Sequence, residues 1–174
     1  MNLIIGSTSQ LSYYFPEEDY IKISSRNIDF NYLKDNKWNS VYICFAEQRV
    51  RSVEEIDYIT PNYVYTLDII HSLINNSNKI CCFTSCELWN ELSGVVKTDT
   101  VPFYKSSNYY IKSKIMLLDK IKELQKTNSL YNKVIFIHPF YFNSVRRCKY
   151  FLFGKIFDSI INIRPSQDNK SRGV

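Results

Sequence analysis

Tyr110 and Lys114 stand four residues apart in the run Tyr-Ile-Lys-Ser-Lys, within a stretch whose apolar spacing predicts a helix. One helical turn puts both side chains on the same face. A phenol titrates at about 10 in water, and a neighbouring ammonium lowers that value by favouring the phenolate. Such a pair is suited to proton transfer. The chain holds 14 Tyr and 22 Lys and Arg, so the same spacing also arises on a solvated helix face. The pair alone leaves both readings open.

A second hydroxyl comes from Lys79-Ile-Cys-Cys-Phe-Thr-Ser-Cys-Glu-Leu-Trp, where an apolar run stops at Thr84 and Ser85. A buried parallel strand delivers a hydroxyl to the carboxyl edge of a sheet in this way, although Thr and Ser also end strands for local reasons. Ser85 precedes Tyr110 by 25 residues, with Pro102 between them. Ser, Tyr and Lys can then meet across a crevice. At the start of the chain, Asn2-Leu-Ile-Ile-Gly6-Ser-Thr-Ser-Gln-Leu-Ser sets a short apolar strand before one glycine and a polar turn. Dinucleotide-binding units use this arrangement to bring backbone N–H groups and a helix N-terminus to a pyrophosphate. Gly6, Ser9 and Ser12 occupy the three positions of a G-x-x-G-x-x-G spacing. Serine offers a hydroxyl to phosphate but lacks glycine's backbone freedom.

The elements that must position these residues are strands near 2–6, 20–24, 40–45, 79–84 and 133–138, with helices near 61–74 and 107–125. Their alternation predicts an α/β fold, a doubly wound parallel sheet with helices on both faces. With 174 residues, 45% hydrophobic and 22% charged, the chain can bury one substantial core. Ile115, Met116, Leu117, Leu118, Ile121 and Leu124 are expected to form the core face of the second helix.

Together these residues resemble the extended short-chain dehydrogenase/reductase family, in particular its nucleotide-sugar epimerases, dehydratases and reductases. Gly6-Ser-Thr-Ser-Gln-Leu-Ser is similar to the family's phosphate loop, Phe45-Ala46 to its cofactor-lining strand end, and Asn62-Tyr-Val-Tyr-Thr66 to its Asn-Val-x-Gly-Thr helix. Thr84-Ser85-Cys-Glu-Leu-Trp-Asn resembles its Ser-Ser-x-x-Val-Tyr-Gly segment, and Tyr110 with Lys114 its Tyr-x-x-x-Lys pair. His138-Pro139-Phe140-Tyr-Phe-Asn143 is similar to its Arg-Pro-Phe-Asn segment. The resemblance implies a Rossmann-like fold with Ser85, Tyr110 and Lys114 as catalytic residues. It also implies cofactor contacts from Gly6, Ser9, Gln10, Leu11, Phe45, Ala46, Tyr110, Lys114 and Pro139, and a nucleotide-sugar substrate. The second and third loop glycines are missing.

Arg26, after the second strand, stands where an acidic residue would accept from the ribose hydroxyls of NAD. An arginine there can pair with a 2′-phosphate, so NADP is favoured over NAD; an exposed loop arginine without a ligand is the plainer alternative. The five cysteines offer no paired C-x-x-C spacing, and only His71 and His138 accompany them. No metal site is expected. A net charge of +5 with scattered basic residues, Arg146-Arg147-Cys-Lys149 apart, argues against nucleic acid as a partner. The chain opens on a strand, without a signal-peptide pattern or a long apolar span, so a cytoplasmic location and no membrane span are expected.

The resemblance continues through 151–161 and then stops at a polar tail, 162–174, with the composition of disorder. The domain is therefore expected over 1–161, with the family's substrate domain largely absent. Two further readings stay open: a nucleotide-binding module without catalysis, and an inactive remnant. A homo-oligomer or a completing partner chain would supply the missing substrate contacts.

Overall fold

The computed structural model describes residues 1–48, 54–89, 97, 107–139, 155, 156 and 159. The chain divides into two compact units, Met1–Phe142 and Asn143–Val174. The loop around Pro102, the segment 140–143, the basic run 146–149 and the tail 162–174 lie outside the described residues, as does the boundary expected at 161.

Short aliphatic runs between polar turns make five strands of the first unit: β1 (Asn2–Ile5), β2 (Tyr20–Ile23), β3 (Trp38–Ile43), β4 (Ser77–Phe83) and β5 (Val134–Ile137). All pair in parallel, in the order β2-β1-β3-β4-β5. The order reverses between β1 and β3. Loops leaving these two strands diverge, and a crevice opens above their carboxyl ends.

Register assigns the side chains to two faces. Leu3 and Ile5 pair with Val41 and Ile43, which pair in turn with Ile80 and Cys82. These residues form the main core with Leu33 of α1 (Phe30–Asp35), Ile69 and Leu73 of α3 (Thr66–Leu73), and Leu117 and Ile121 of α4 (Tyr109–Thr127). On alternate positions, Tyr20 and Tyr42 meet Phe15 of the β1–β2 crossover, with ring centroids 5.0 and 4.9 Å away. Ile135 and Ile137 of β5 fall on this second face and are partly exposed.

Where dinucleotide-binding units set a helix after the first strand, this chain has a four-residue 3-10 helix, Leu11–Tyr14. The sequence explains the difference: Tyr13, Tyr14 and Phe15 are indifferent helix formers, and Pro16 stops the turn. Lys22 then fastens the crossover, its Nζ 2.6 Å from both the Phe15 carbonyl and Glu17 Oε1. The helical run expected over 61–74 begins earlier, as α2 (Glu55–Ile59), and passes through a π-helix, Thr60–Tyr65, into α3. Pro61 lacks the N–H that an α-ladder would use, and the backbone widens at this point. Asp29 caps α1, accepting from the Asn31 and Tyr32 amides at 2.9 and 3.2 Å. On α4, Ile115, Leu117, Leu118 and Ile121 are buried as expected, whereas Met116 is exposed because it sits on the opposite side of the helix.

Gly6 ends β1 at φ +104°, and a Cβ there would lie 3.0 Å from the Phe45 amide nitrogen. Its own N–H and that of Ser7 donate to the Ile23 carbonyl at 2.9 and 3.0 Å. Backbone conformation and the close approach of the β3 exit both require a residue without a side chain. Gly6→Ala is expected to cost about 1–3 kcal/mol of stability, measured as a lower urea midpoint with an unchanged m-value; an unaltered midpoint would contradict the packing.

Candidate active site

Because every strand runs the same way, the residues after the strands gather at one edge. Gly6 follows β1, Phe45 and Ala46 follow β3, Ser85 follows β4, and Pro139 follows β5. Hydrogen bonds continue past the end of the β4–β5 ladder: the Thr84 amide donates to the Ile137 carbonyl at 2.9 Å and the Cys86 amide to the Pro139 carbonyl at 3.3 Å. Ser85 is therefore held between two bonds to the neighbouring chain. The Thr84 hydroxyl lies between the Ile137 carbonyl, at 3.3 Å, and Nδ1 of His138. The His138 ring meets Trp89 edge-on.

Helix α4 supplies the other two groups. Asn108 caps it, Oδ1 accepting from the Tyr110 amide at 2.9 Å, and this fixes the rotation of the first turn. The Ser85 hydroxyl is near enough to the Tyr110 phenol to favour its ionised form, and the tyrosine ring meets Tyr58 of α2 edge-on. Lys114 is 3% exposed. Its Nζ donates to the Phe83 carbonyl at 3.2 Å and lies 6.0 Å from the centre of the Tyr110 ring. Ser85, Tyr110 and Lys114 thus converge.

The electrostatics differ from the expectation that Lys114 lowers the tyrosine. Burial pushes the Tyr110 phenol up to about 12; the Ser85 hydroxyl acts downward, and Glu87 and Cys86 act upward. Burial also draws Lys114 down to about 8, with Cys82 pulling the other way. The ammonium lies under the ring and faces a carbonyl, and both groups share a dry environment that disfavours charge. Tyr110 keeps its proton at neutral pH. Burial, followed by the charge of Lys122, holds His138 below its ordinary value.

Asn62, part of the π-helix, is a site residue that the sequence reading did not single out. It is 1% exposed. Its Oδ1 accepts from the Glu47 amide at 2.8 Å, and its Nδ2 donates to the Glu47 carbonyl at 3.0 Å and to the Ser113 hydroxyl at 3.1 Å. Ser113 in turn donates to the Tyr110 carbonyl at 2.7 Å. The β3 exit and the helix bearing Tyr110 are joined through one amide. The signal was present in the Asn62–Thr66 resemblance, and in a buried amide's need for partners.

In the loop after β1, Ser9, Gln10 and Leu11 are half-buried beside Gly6. Arg26 is exposed beyond β2, with two strands between β2 and β4, and is not brought to Ser85. Its backbone N–H donates to Ser24 Oγ at 3.0 Å. Among the described residues no group of three or more His, Cys, Asp or Glu could hold a metal ion, and no helix is long and apolar enough to cross a membrane.

Lys114 makes the stability of the fold depend on pH. Its folded value of about 8 lies below the ordinary 10.5, so between these values the unfolded chain carries a proton that the folded chain has released. Stability from this group rises with pH across that window. The parent is expected to gain on the order of 3 kcal/mol relative to Lys114→Met as pH rises through the window, read from urea midpoints of both proteins at matched pH. Cys44, pushed up by burial to about 12, is common to both proteins and cancels in the comparison, whereas Cys82 is lowered in part by Lys114 and titrates higher in the variant, outside the window. A constant difference would show that the amine is not held in a dry site.

No protein-family model and no curated protein matches the sequence. Solved structures match the fold. UDP-glucuronic acid 4-epimerase from Bacillus cereus, in complex with NAD, superposes with a TM-score of 0.76 at 14% identity over 92% of this chain and 62% of its own. A double mutant of dTDP-glucose 4,6-dehydratase from Streptomyces venezuelae with NAD bound gives 0.75 at 12% identity over 93% and 62%. RMD from Pseudomonas aeruginosa complexed with NADPH gives 0.72 at 13% identity over 91% and 60%. The chain spans about three fifths of the length of these structures. Beside Tyr110, the buried Lys114 ammonium has one carbonyl partner among the described residues and retains N–H donors that suit the hydroxyls of a nicotinamide nucleotide. The helix N-terminus usual at the phosphate end is absent. The chain carries a five-stranded, Rossmann-like version of the fold found in nicotinamide-dependent nucleotide-sugar epimerases and dehydratases.

Proposed function

We propose that this chain binds NAD(P) and acts on a nucleotide sugar, coupling proton transfer at Tyr110 to hydride exchange at an adjacent carbon. The observation that carries this reading is the buried Lys114, its Nζ on the Phe83 carbonyl at the end of β4 and 6.0 Å from the centre of the Tyr110 ring, with Ser85 acting on the same phenol. The bound nicotinamide supplies the hydride donor or acceptor. Tyr110, protonated at neutral pH, gives its proton to a carbonyl oxygen as that carbon is reduced, and accepts it back in the opposite direction. Ser85 holds the same oxygen through its hydroxyl. Lys114 holds ribose hydroxyls, and its charge favours the phenolate left after proton transfer.

Gly6, Ser9, Gln10 and Leu11 would face the pyrophosphate, while Phe45, Ala46 and Pro139 would line the nicotinamide side. Arg26 favours NADP, because a guanidinium pairs with a 2′-phosphate. Nucleotide sugars enter the reading from the neighbours: UDP-glucuronic acid is bound with NAD in a second Bacillus cereus complex, at 15% identity. A cytoplasmic site of action fits such substrates. A second reading is nucleotide binding without turnover, and a third arrangement has substrate contacts supplied by a second copy or a partner chain.

With purified full chain, NADPH and NADH fluorescence titrations test binding, and UDP- and dTDP-sugars test turnover. Tyr110→Phe is expected to cut turnover by at least about a hundredfold with cofactor affinity kept, because it deletes one oxygen and retains the ring. Lys114→Ala should weaken both. Full activity of Tyr110→Phe would end the catalytic reading; cofactor binding without turnover by the parent would select the second.

Arg26→Ala should abolish any preference for NADPH over NADH. Equal affinities of the parent for the two cofactors would remove the role given to Arg26.

A further inference from the structure

His138 stands where the Arg-Pro-Phe-Asn pattern has arginine, and the exchange changes what the position can do. A guanidinium only donates hydrogen bonds, whereas a neutral imidazole also accepts one. The hydroxyl facing Nδ1 is that of Thr84, 5% exposed at the end of β4. The Ile137 carbonyl, 3.3 Å from this hydroxyl, already accepts from the Thr84 amide at 2.9 Å. The hydroxyl proton can therefore go to Nδ1 of neutral His138.

The same ring meets Trp89 edge-on, with centroids 4.8 Å apart. Trp89 ends the 3-10 turn Cys86–Trp89 and belongs with Leu88, Ile111 and Ile115 to a second small core, against which Tyr110 packs. Ser85 lies between the two contacts of His138: Thr84 precedes it, and the turn that ends in Trp89 follows it. One imidazole thus touches the chain on both sides of Ser85.

We propose that His138 is a positioning residue for Ser85: the neutral imidazole, bonded to Thr84 and packed on Trp89, closes the exit of β4 around the Ser85 hydroxyl. The inference rests on the role given to Ser85 above and deepens it. Charging the ring undoes the clamp, because a protonated Nδ1 no longer accepts a hydrogen bond. Burial opposes that charge, and Lys122 of α4 opposes it further, so the ring is held below its ordinary 6.5. Thr84 of β4 and Trp89 of the turn bring no charge to it. Glu87 of the same turn acts on Tyr110 and Cys86, and Lys114 of α4 acts on Cys82. The stabilisation from the clamp is complete above 6.5 and is lost as pH falls below that value, where the opened chain takes up its proton first.

The test is amide hydrogen exchange on the ¹⁵N-labelled full chain without ligand, corrected for intrinsic rates, for the parent, His138→Asn, His138→Leu and Thr84→Val. Asparagine puts a carboxamide in the place of Nδ1 and does not titrate. In the parent, the Thr84 and Cys86 amides are expected to lose protection by roughly threefold or more between about pH 7.5 and about pH 5, relative to amides in the middle of β3 and β4. His138→Leu and Thr84→Val should each lower that protection by about tenfold at the upper pH, as for the loss of one buried hydrogen bond. His138→Asn should keep it and hold it level across the range. Parent-like protection in both His138→Leu and Thr84→Val would overturn the clamp, as would a loss in His138→Asn as large as in His138→Leu or a pH profile that His138→Asn shares with the parent. Should His138→Leu not fold, Thr84→Val and His138→Asn decide. No ligand enters this experiment, so it can fail while the nucleotide-sugar reading stands. A parent that turns over no UDP- or dTDP-sugar would end that reading and leave the measured clamp in place.

Discussion

Burying an ammonium costs several kcal/mol unless other groups take the place of water, and Lys114 meets that constraint at the end of β4. It forms no ion pair with a described residue. The Phe83 carbonyl and the face of the Tyr110 ring are its compensation. A carbonyl at a strand end has a fixed direction, so the lysine settles where α4 lies on the sheet. Tyr110, one turn earlier, must then face the β4 exit, where Ser85 is held by bonds to the β5 side. The convergence of three side chains follows from one cation placed against one strand end.

Asn62 extends that constraint across the crevice. Its amide satisfies both polar groups of the Glu47 backbone and reaches Ser113, the residue beside Lys114. Such a link needs an Asn on a helix whose backbone is already widened, and Pro61 provides the widening. The β3 exit, the π-helix and α4 are therefore tied together through one side chain. Loosening any of them would disturb the relation between Tyr110 and the loop that carries Phe45 and Ala46.

The five strands, the long fourth helix and the edge position of Gly6, Phe45, Ser85 and Pro139 were legible in the sequence. Alternating apolar runs and a parallel α/β pattern determine which ends share an edge. The state of charge was not legible, because it depends on desolvation by residues distant in the chain: spacing suggested that Lys114 would depress Tyr110, and burial moved the two groups toward their neutral forms. Nor was the 3-10 helix after β1, a single turn too short to leave an apolar period, which Pro16 stops. Thr84 and His138 lie 54 residues apart, and only the pairing of β4 with β5 brings them together.

The two ends of the crevice answer to different physics. Beside Ser85 the groups are buried, Tyr110 keeping its proton and Lys114 drawn down to about 8, and their geometry is fixed by packing against the sheet. In the loop after β1 there is no α-helix to sum peptide dipoles, and a four-residue 3-10 turn contributes little of that field. The order of this loop comes instead from local hydrogen bonds, the Ser12 hydroxyl lying 2.7 Å from the Ser7 carbonyl and 2.9 Å from the Ser9 carbonyl. These contacts are separate from those that place Lys114 on the Phe83 carbonyl, so the loop and the cluster at the end of β4 can be disturbed independently.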